Sequence, residues 1–402
     1  MLPLEGVKAV ELAIWIAGPV CGVMLADCGA DVIKVEHLET GGDPARGWTP
    51  TDSPTKEAPN YVFETVNRGK RALALDLSLS QGRDVMYRLV KRADVFVTNL
   101  RLPTLDKLKM DYETIDSVNP SIVYARGTGF GPKGPDRDKM GFDSIGFWAR
   151  SGIMGGLGEP DGPPVRMRGS LGDVSTGTCL FAGVMLGLYR RQRTGQGCLV
   201  DSSLLATGAW IAAENLWAPL ITGKSMPKYS RKSPPNPLLN IHCSSDGRWF
   251  YMCTLQADRY WPNLCRAIDR EDLIEDHRFR SLQLRKENSA ALVEILDDIF
   301  ATRPLAEWGS RLDAQHIAWG AVSSAEEVIC DPQMSANDYL VEVEHPQYGL
   351  LREPAIPFQI DGASLMPRKA SPEFGESTEE VLGELGYTWE EITSLKDQKV
   401  VI

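Results

Sequence analysis

The stretch VKAVELAIWIAGPVCGVMLADCGADVIKVE, residues 7–36, decides the fold. VKAVEL (7–12) is a short apolar run with β-branched residues and reads as a strand. GPVCGVMLADCGA (18–30) has helical length and ends near a glycine, and DVIKVE (31–36) is a second strand. The alternation continues outward. RALALDL (71–77) predicts a third strand, SQGRDVMYRLVKRA (80–93) an amphipathic helix, and DVFVTNL (94–100) and SIVYARG (121–127) two more strands. A long helix after Asp173 and the segment CLVDSSLL (198–205) close the series. Repeated strand–helix units predict an α/β fold with a mostly parallel sheet covered by helices. Ligands of such sheets bind beyond the carboxyl ends of the strands.

The pattern changes near residue 220. ITGKSMPKYSRKSPPNPLLN (221–240) is rich in proline and charge and reads as a linker. DGRWFYMC (246–253) reads as a hairpin arm with Asp-Gly as its turn. Helical stretches carrying Trp261, Trp308 and Trp319 follow to about residue 320. A proline-rich segment (353–372) precedes a last short helix near 377–385. A chain of 402 residues holds about two or three domains at roughly 100–200 residues each.

A net charge of -11 excludes a global basic footprint for nucleic acid, though a local basic pocket remains possible. The eight cysteines form no CxxC pair and mostly sit in apolar runs, so they read as buried thiols in a reducing cytoplasm. The histidines are scattered without zinc-type spacing, which predicts no metal. MLPLEGVKAVEL has Glu5 and no basic region, unlike a secretory signal. Apolar runs such as Leu180–Tyr189 are shorter than the roughly 20 residues of a membrane span, so no membrane partner is expected.

The opening βαβ unit invites a dinucleotide reading, with Glu36 placed for a ribose. Its first turn, however, reads AIWIAGPVCG, with Trp15, Ile16 and Pro19 where a pyrophosphate needs glycines. GTGFGPKG (127–134) is interrupted by Pro132 and followed by Pro135, and there is neither a P-loop nor a GxSxG elbow. Cations near strand ends, namely Lys70 and Arg71, Arg101 and Lys107, and Lys133, Arg137 and Lys139, are singly ordinary surface charges. As a set they suit a ligand with several phosphates.

Asp173 stands between Gly172 and the small-residue run VSTGTCLFAG, where a turn becomes a helix. An N-cap explains it, because a carboxylate there accepts the free amides of the first turn. The same helix end favours an ionised carboxylate, which is what a nucleophile requires.

Residues 4–48, LEGVKAVELAIWIAGPVCGVMLADCGADVIKVEHLETGGDPARGW, resemble the opening of class III (family III) CoA-transferases. The likeness continues in NRGKRALALDL (67–77), DVFVTNLR (94–101), GFDSIGFWARSG (141–152), GPPVRMRGSLGD (162–173), TGQGCLVDSSL (194–204), PQMSANDYLVEVEHP (332–346) and EVLGELGYTWEEI (380–392). The resemblance implies a Rossmann-like large domain with a smaller inserted α+β domain, in an interlocked homodimer. The large domain would take 1–220 and 326–402, and the small one 221–325. The implied activity moves CoA from an acyl-CoA to a carboxylic acid, with CoA thioesters as substrates and no tightly bound cofactor. Asp173, ending GSLGD, matches the family's catalytic carboxylate, which forms an acyl anhydride and then a CoA thioester. Gly169, Ser170 and Gly172 beside it would permit close approach of substrate.

The remaining assignments are carried over by motif. Ile16 and Ala17 match a pantetheine-lining pair. His37 stands where a family arginine reaches the nucleotide. Leu75, Asp76, Leu77 and Ser78 match a nucleotide-binding strand end, and Asn99, Leu100 and Arg101 the turn after the next strand. Lys107 stands in for an arginine, Lys139 matches a phosphate-binding lysine, and Asp143 an acid beside the active site. Trp15, Trp48 and Trp148 are candidates for an apolar acyl pocket, with core packing as the competing explanation. The glycine-rich loop of the formyl-CoA enzyme has no counterpart in 221–260, which favours the 2-hydroxyacid branch (phenyllactate or 2-hydroxyisocaproate type) over oxalate. Two other readings stand beside this one. An α-methylacyl-CoA racemase uses the histidine of a GHD triplet, where this chain has Gly141-Phe142-Asp143. A CoA-binding protein without catalysis would form no adduct.

Overall fold

The computed structural model describes residues 2–48 and 59–402. Elements run β1 (Lys8–Leu12), α1 (Ala17–Asp27), β2 (Asp31–His37), α2 (Tyr61–Asn67), β3 (Arg71–Leu75), α3 (Ser80–Val90), β4 (Val95–Thr98), α4 (Leu102–Leu108), α5 (Tyr112–Val118), β5 (Val123–Thr128), α6 (Ile153–Gly156), α7 (Leu171–Thr194) and β6 (Cys198–Ser203). The six strands form one sheet in the order β3-β2-β1-β4-β5-β6. All neighbours are parallel. This is the doubly wound order, and its direction reverses between β1 and β4.

Both faces of the sheet are dry, as a parallel sheet requires. Side chains alternate along each strand. Val10, Phe96 and Tyr124 face a core completed by Val85, Met86 and Leu89 of α3 and by Ile392, Leu395, Val400 and Val401 near the carboxyl end. Ala9, Val95, Val97, Val123 and Ala125 face α1 and α7, through residues such as Val20, Met24, Leu180, Phe181 and Val184. The chain's end therefore seals a sheet built from its first half, and Asp76 N donates to Val400 O at 2.9 Å.

The chain divides into two compact units. One comprises Met1–Gly155, Arg166–Thr222 and Pro332–Ile402, the other Gly156–Val165 and Gly223–Asp331. In the second unit β7 (Leu239–Cys243), β8 (Trp249–Cys253) and β9 (Trp319–Ala321) make an antiparallel sheet. Its core is aromatic: Phe250, Trp261, Phe279, Phe300 and Trp308. The Asp246-Gly247 turn joins β7 to β8, with Gly247 at φ 75°. Trp319, expected on a helix, lies in β9.

Several expectations are corrected. The helix preceding the 221–240 linker runs to Thr222. The carboxyl-terminal region holds a hairpin, β10 (Leu340–His345) with β11 (Gly349–Pro354), which the sequence reading missed. It also holds a further helix, Trp389–Asp397, opened by a Thr388–Glu391 capping box. Only Cys21, Cys28 and Cys265 are buried, while Cys179, Cys253 and Cys330 are exposed and all eight are free. Finally, α7 extends well beyond Leu180–Tyr189, and an 18-residue window of it reaches mean hydropathy 1.4, enough in length and composition to cross a membrane. Leu180, Phe181, Val184, Met185 and Leu188 make the window apolar, and the glycines of α7 allow close packing. A Cβ on Gly177 would lie 2.5 Å from the carbonyl oxygen of Ala17 in α1.

Candidate active site

The reversal point of the sheet opens into a cavity of about 350 Å³. The turn after β1 supplies Ile14, Trp15 and Ala17, and the turn after β4 supplies Asn99, Leu100 and Arg101. The end of β5 adds Gly127 to Gly129, and Met140, Gly141, Phe142 and Leu204 close the wall. Asp173 and Thr176 of α7 complete it. A second cavity, about 380 Å³, lies by Lys8, Asp31, Arg71 and Glu384 at the amino end of the sheet. Its charges neutralise one another, Arg71 pairing with Asp31, Glu380 and Glu384.

Asp173 is not the cap of its helix. The helix starts at Leu171 with Ser170 in the cap position and no capping side chain. Asp173 therefore falls in the first turn, where its own backbone amide has no helical acceptor. Asp143, the first residue of a π-helical turn (Asp143–Ala149), supplies one: Asp173 N donates to Asp143 Oδ1 at 3.0 Å. The Gly172 amide donates to the same carboxylate. The contact needs a glycine, because a Cβ at Gly172 would stand 2.5 Å from Asp143 Oδ1 and 2.3 Å from Phe147 Cγ.

The capping work thus passes to Asp143, and the Asp173 carboxylate has no hydrogen-bond or ion-pair partner among the described residues. Half-buried and stripped of water, it is pushed up to about 7, with repulsion from Asp143 adding to burial. The helix end would by itself favour ionisation; burial outweighs it here. Burial also raises Asp143, against the hydrogen bonds from the Asp173 and Gly172 amides that favour its charge.

The β1–α1 turn is held by two side chains, Asn99 and Asp43. Asn99 Oδ1 accepts from Ile14 N at 2.9 Å while its Nδ2 donates to Ile14 O at 2.7 Å. Trp15 adopts φ 62°, a left-handed conformation costly for a bulky residue. Its amide donates to Asp43 Oδ1 at 2.9 Å. Asp43 in turn belongs to a fully buried charge network. Lys34 Nζ meets Asp43 Oδ2 at 2.9 Å and Glu11 Oε1 at 3.0 Å, and Lys70 Nζ meets Glu11 Oε2 at 2.7 Å. Burial lowers Lys34, but Glu11, Asp43 and Glu36 together lift it above the ordinary lysine value. Burial lowers Lys70 to about 8.

A half-buried carboxylate thus lines a cavity at the reversal point of a doubly wound sheet, and the chain as a whole is matched by known proteins. The family model described as CoA-transferase family III matches residues 4–378. The chain belongs to CoA-transferase family III.

Among its relatives, (R)-2-hydroxy-4-methylpentanoate CoA-transferase of Clostridioides difficile is 32% identical, over 99% of each chain. Cinnamoyl-CoA:phenyllactate CoA-transferase of Clostridium sporogenes is 33% identical, over 99% of this chain and 97% of that one. Succinate–glutarate CoA-transferase of Agrobacterium fabrum is 31% identical, over 95% and 96%. The crystal structure of a CAIB/BAIF family protein from Brucella suis superposes with a TM-score of 0.84 at 31% identity, over 96% of this chain and 99% of that one. The protein is therefore a CoA-transferase, using CoA thioesters and carboxylic acids as substrates. The reading as a binder without catalysis falls.

The transferase brings Trp15, Ala17, Asn99, Leu100, Arg101 and Asp173 to one cavity. Ile16 is buried at the start of α1, and Trp48 meets Trp15 edge-on, ring centroids 6.3 Å apart. Trp148 is buried in a core with Phe147 and Leu204, the packing alternative. Asn99 uses its amide to hold Ile14 while lining the same cavity. Leu75 and Leu77 are core residues, so their side chains are not free for a nucleotide. His37 Nε2 stands 3.9 Å from Asp76 Oδ1, which also accepts from Ser78 N, and these groups share the carboxyl edge of the sheet with Asn99. Lys107 and Lys139 are exposed and outside the cavity wall. Lys70 and Arg71, grouped with phosphate-facing cations in sequence, are committed to Glu11 and to Asp31. No cluster that could hold a metal occurs among the described residues.

Sequence reasoning missed Asp43 and Thr176. Asp43 carried a local signal, a cap before Pro44, but nothing in sequence connects it to Trp15. Thr176 sits three residues beyond Asp173, hence on the same helix face, a spacing visible in DVST.

Proposed function

We propose that Asp173 is the nucleophile and that the transferase works through two covalent states. An Asp173 oxygen attacks the thioester carbon of the donor. A C–O bond forms, the C–S bond breaks, and the electron pair leaves on the CoA thiolate, giving a mixed anhydride. The thiolate then attacks the aspartyl carbonyl carbon. The donor acid departs as a carboxylate and the aspartyl-CoA thioester remains. An acceptor carboxylate attacks that thioester, releases the thiolate and forms a new anhydride. The thiolate finally attacks the acceptor's acyl carbon, which yields the new acyl-CoA and restores Asp173. The thioester's energy is conserved because each leaving group stays bound and water is kept from the intermediates.

One observation carries this reading: a half-buried carboxylate with no partner among the described residues, its helix cap delegated to Asp143, in the cavity at the reversal point. A carboxylate raised to about 7 is more basic, and so a better nucleophile, than an ordinary aspartate. Mass spectrometry of peptides quenched during turnover tests it. Acyl and CoA adducts on Asp173 are expected, and Asp173→Ala should lose exchange while staying folded. Turnover without either adduct, or an active Asp173→Ala, overturns the assignment.

The acceptor is an apolar monocarboxylic acid of the 2-hydroxyacid class. Ile14, Trp15, Met140, Phe142 and Leu204 give the cavity an apolar wall, and the clostridial relatives are named for such acids. Phe142 stands on that wall where the racemase reading needs an imidazole, and no histidine lines it among the described residues. CoA enters over the strand ends carrying His37, Asp76 and Ser78, with Arg101, Lys107 and Lys139 available to its phosphates. The working form is an interlocked homodimer, supported by the exposed Trp210, Trp217, Leu220 and Ile221, too much apolar surface for an isolated chain. A cytoplasmic location suits the three exposed free cysteines.

A further inference from the structure

Helix α7 carries several hydroxyl side chains, and one of them behaves differently from its neighbours. A hydroxyl on a helix ordinarily satisfies itself by donating to the carbonyl one turn back. Ser175 does so to Leu171 O at 2.7 Å, Thr178 to Val174 O at 2.9 Å and Thr194 to Arg190 O at 3.0 Å. Thr176 does not. It is 1% exposed, and its Oγ1 has no hydrogen-bond partner among the described residues. Leaving a buried hydroxyl unsatisfied is destabilising. The backbone around it is immobilised, because the next residue, Gly177, is pressed against Ala17 and Val20 of α1. Thr176 also lines the same cavity as Asp173 and lies one helical turn from it.

We infer that the Thr176 hydroxyl is a catalytic hydrogen-bond donor to the acyl oxygen of the group under attack at Asp173. The inference rests on Asp173 as nucleophile. As the aspartyl oxygen adds to the acyl carbon, the carbonyl π pair moves onto the acyl oxygen. Thr176 donates to that oxygen without transferring its proton, and the pair returns when the C–S bond breaks. A helical threonine has two accessible χ1 rotamers, so its hydroxyl reaches the substrate without backbone movement. The unmet hydrogen bond of the free enzyme is then made in the transition state, which is where binding energy accelerates a reaction.

Thr176→Val removes the hydroxyl and keeps the shape; Thr176→Ser keeps the hydroxyl. The donor is whichever of acetyl-, succinyl-, 4-methylpentanoyl- and cinnamoyl-CoA the wild-type enzyme turns over fastest. Formation of the Asp173 adduct is followed by rapid quench, beside kcat, KM and Tm. Thr176→Val should slow adduct formation by about 100-fold, the typical loss of one oxyanion donor. Its KM should hold, and its Tm should equal or exceed the wild-type value because an unsatisfied group is gone. Thr176→Ser should restore most of the rate. If the wild type forms its adduct and Thr176→Val does so equally fast, or if Thr176→Ser is as slow as Thr176→Val, the inference is overturned and Asp173 stands. Turnover without any wild-type adduct removes both.

Discussion

Asp143 caps the helix that bears Asp173: Asp143 Oδ1 lies 3.0 Å from the Asp173 backbone nitrogen, with the Gly172 amide on the same carboxylate. The arrangement fixes the start of α7 and leaves the Asp173 side chain without a structural task. It also brings two carboxylates together, which raises the cost of ionising the second. Replacing Asp143 with alanine should destabilise the protein by about 0.5–2 kcal/mol, the range for a lost helix cap. Chemical denaturation would measure it. Asp143→Asn keeps an acceptor and should recover most of that loss.

The pH profile follows from the same pair. Asp173 must be ionised to attack, and burial followed by Asp143 repulsion lifts it to about 7. The kcat/KM for the acyl-CoA should climb as pH rises to about 7 and level off above it. Asp143→Asn removes the smaller of the two causes, so the acid limb should move to lower pH. It should stay above the ordinary aspartate value of about 3.9, since burial remains.

Stability should carry the opposite signature. Between about pH 4 and pH 7 the native protein keeps a proton on Asp173 that the unfolded chain has released. Stability from this group is therefore present at low pH and is lost as pH rises towards 7. Asp173→Asn cannot ionise. Its Tm relative to wild type should rise from pH 5 to pH 8, and a pH-independent difference would contradict the raised carboxyl.

Gly172 admits no side chain. Gly172→Ala places a methyl 2.3 Å from Phe147 Cγ and 2.5 Å from Asp143 Oδ1. The expected loss is about 1–3 kcal/mol by overpacking. Adduct formation should slow as well, because the cap and Asp173 move together. Differential scanning calorimetry and rapid quench would report the two effects.

Asp43 holds the Trp15 turn and one side of Lys34. Asp43→Ala leaves a buried ammonium with one carboxylate fewer, a change that typically costs about 3–5 kcal/mol. Asp43→Asn retains an acceptor for the Trp15 amide. Its unfolding midpoint should fall between the other two, and its KM for acyl-CoA should stay nearer wild type than that of the alanine variant.

The sheet was legible because its signal is local. Apolar β-branched runs such as DVIKVE, alternating with helical stretches of fitting length, specify strand and crossover one unit at a time. The GSLGD turn marked Asp173, and DG marked the β7–β8 turn, since each depends on neighbours in the chain. The β10–β11 hairpin stayed hidden because its strands lie among prolines and charges. Asp173 looked like a cap in sequence because composition shows that a carboxylate stands at a helix start, not which carboxylate faces the amides. That choice belongs to Asp143, thirty residues earlier, and required the glycine at 172. Likewise Lys70 and Arg71 looked free for phosphate until the sheet paired them with Glu11 and Asp31. Sequence by itself determined the alternation of strand and helix through the six-stranded sheet and the chemical groups available. Tertiary structure decided which of those groups were consumed by one another and which, like Asp173 and Thr176, were left unsatisfied beside a cavity, because long-range packing sets hydrogen-bond partners and desolvation.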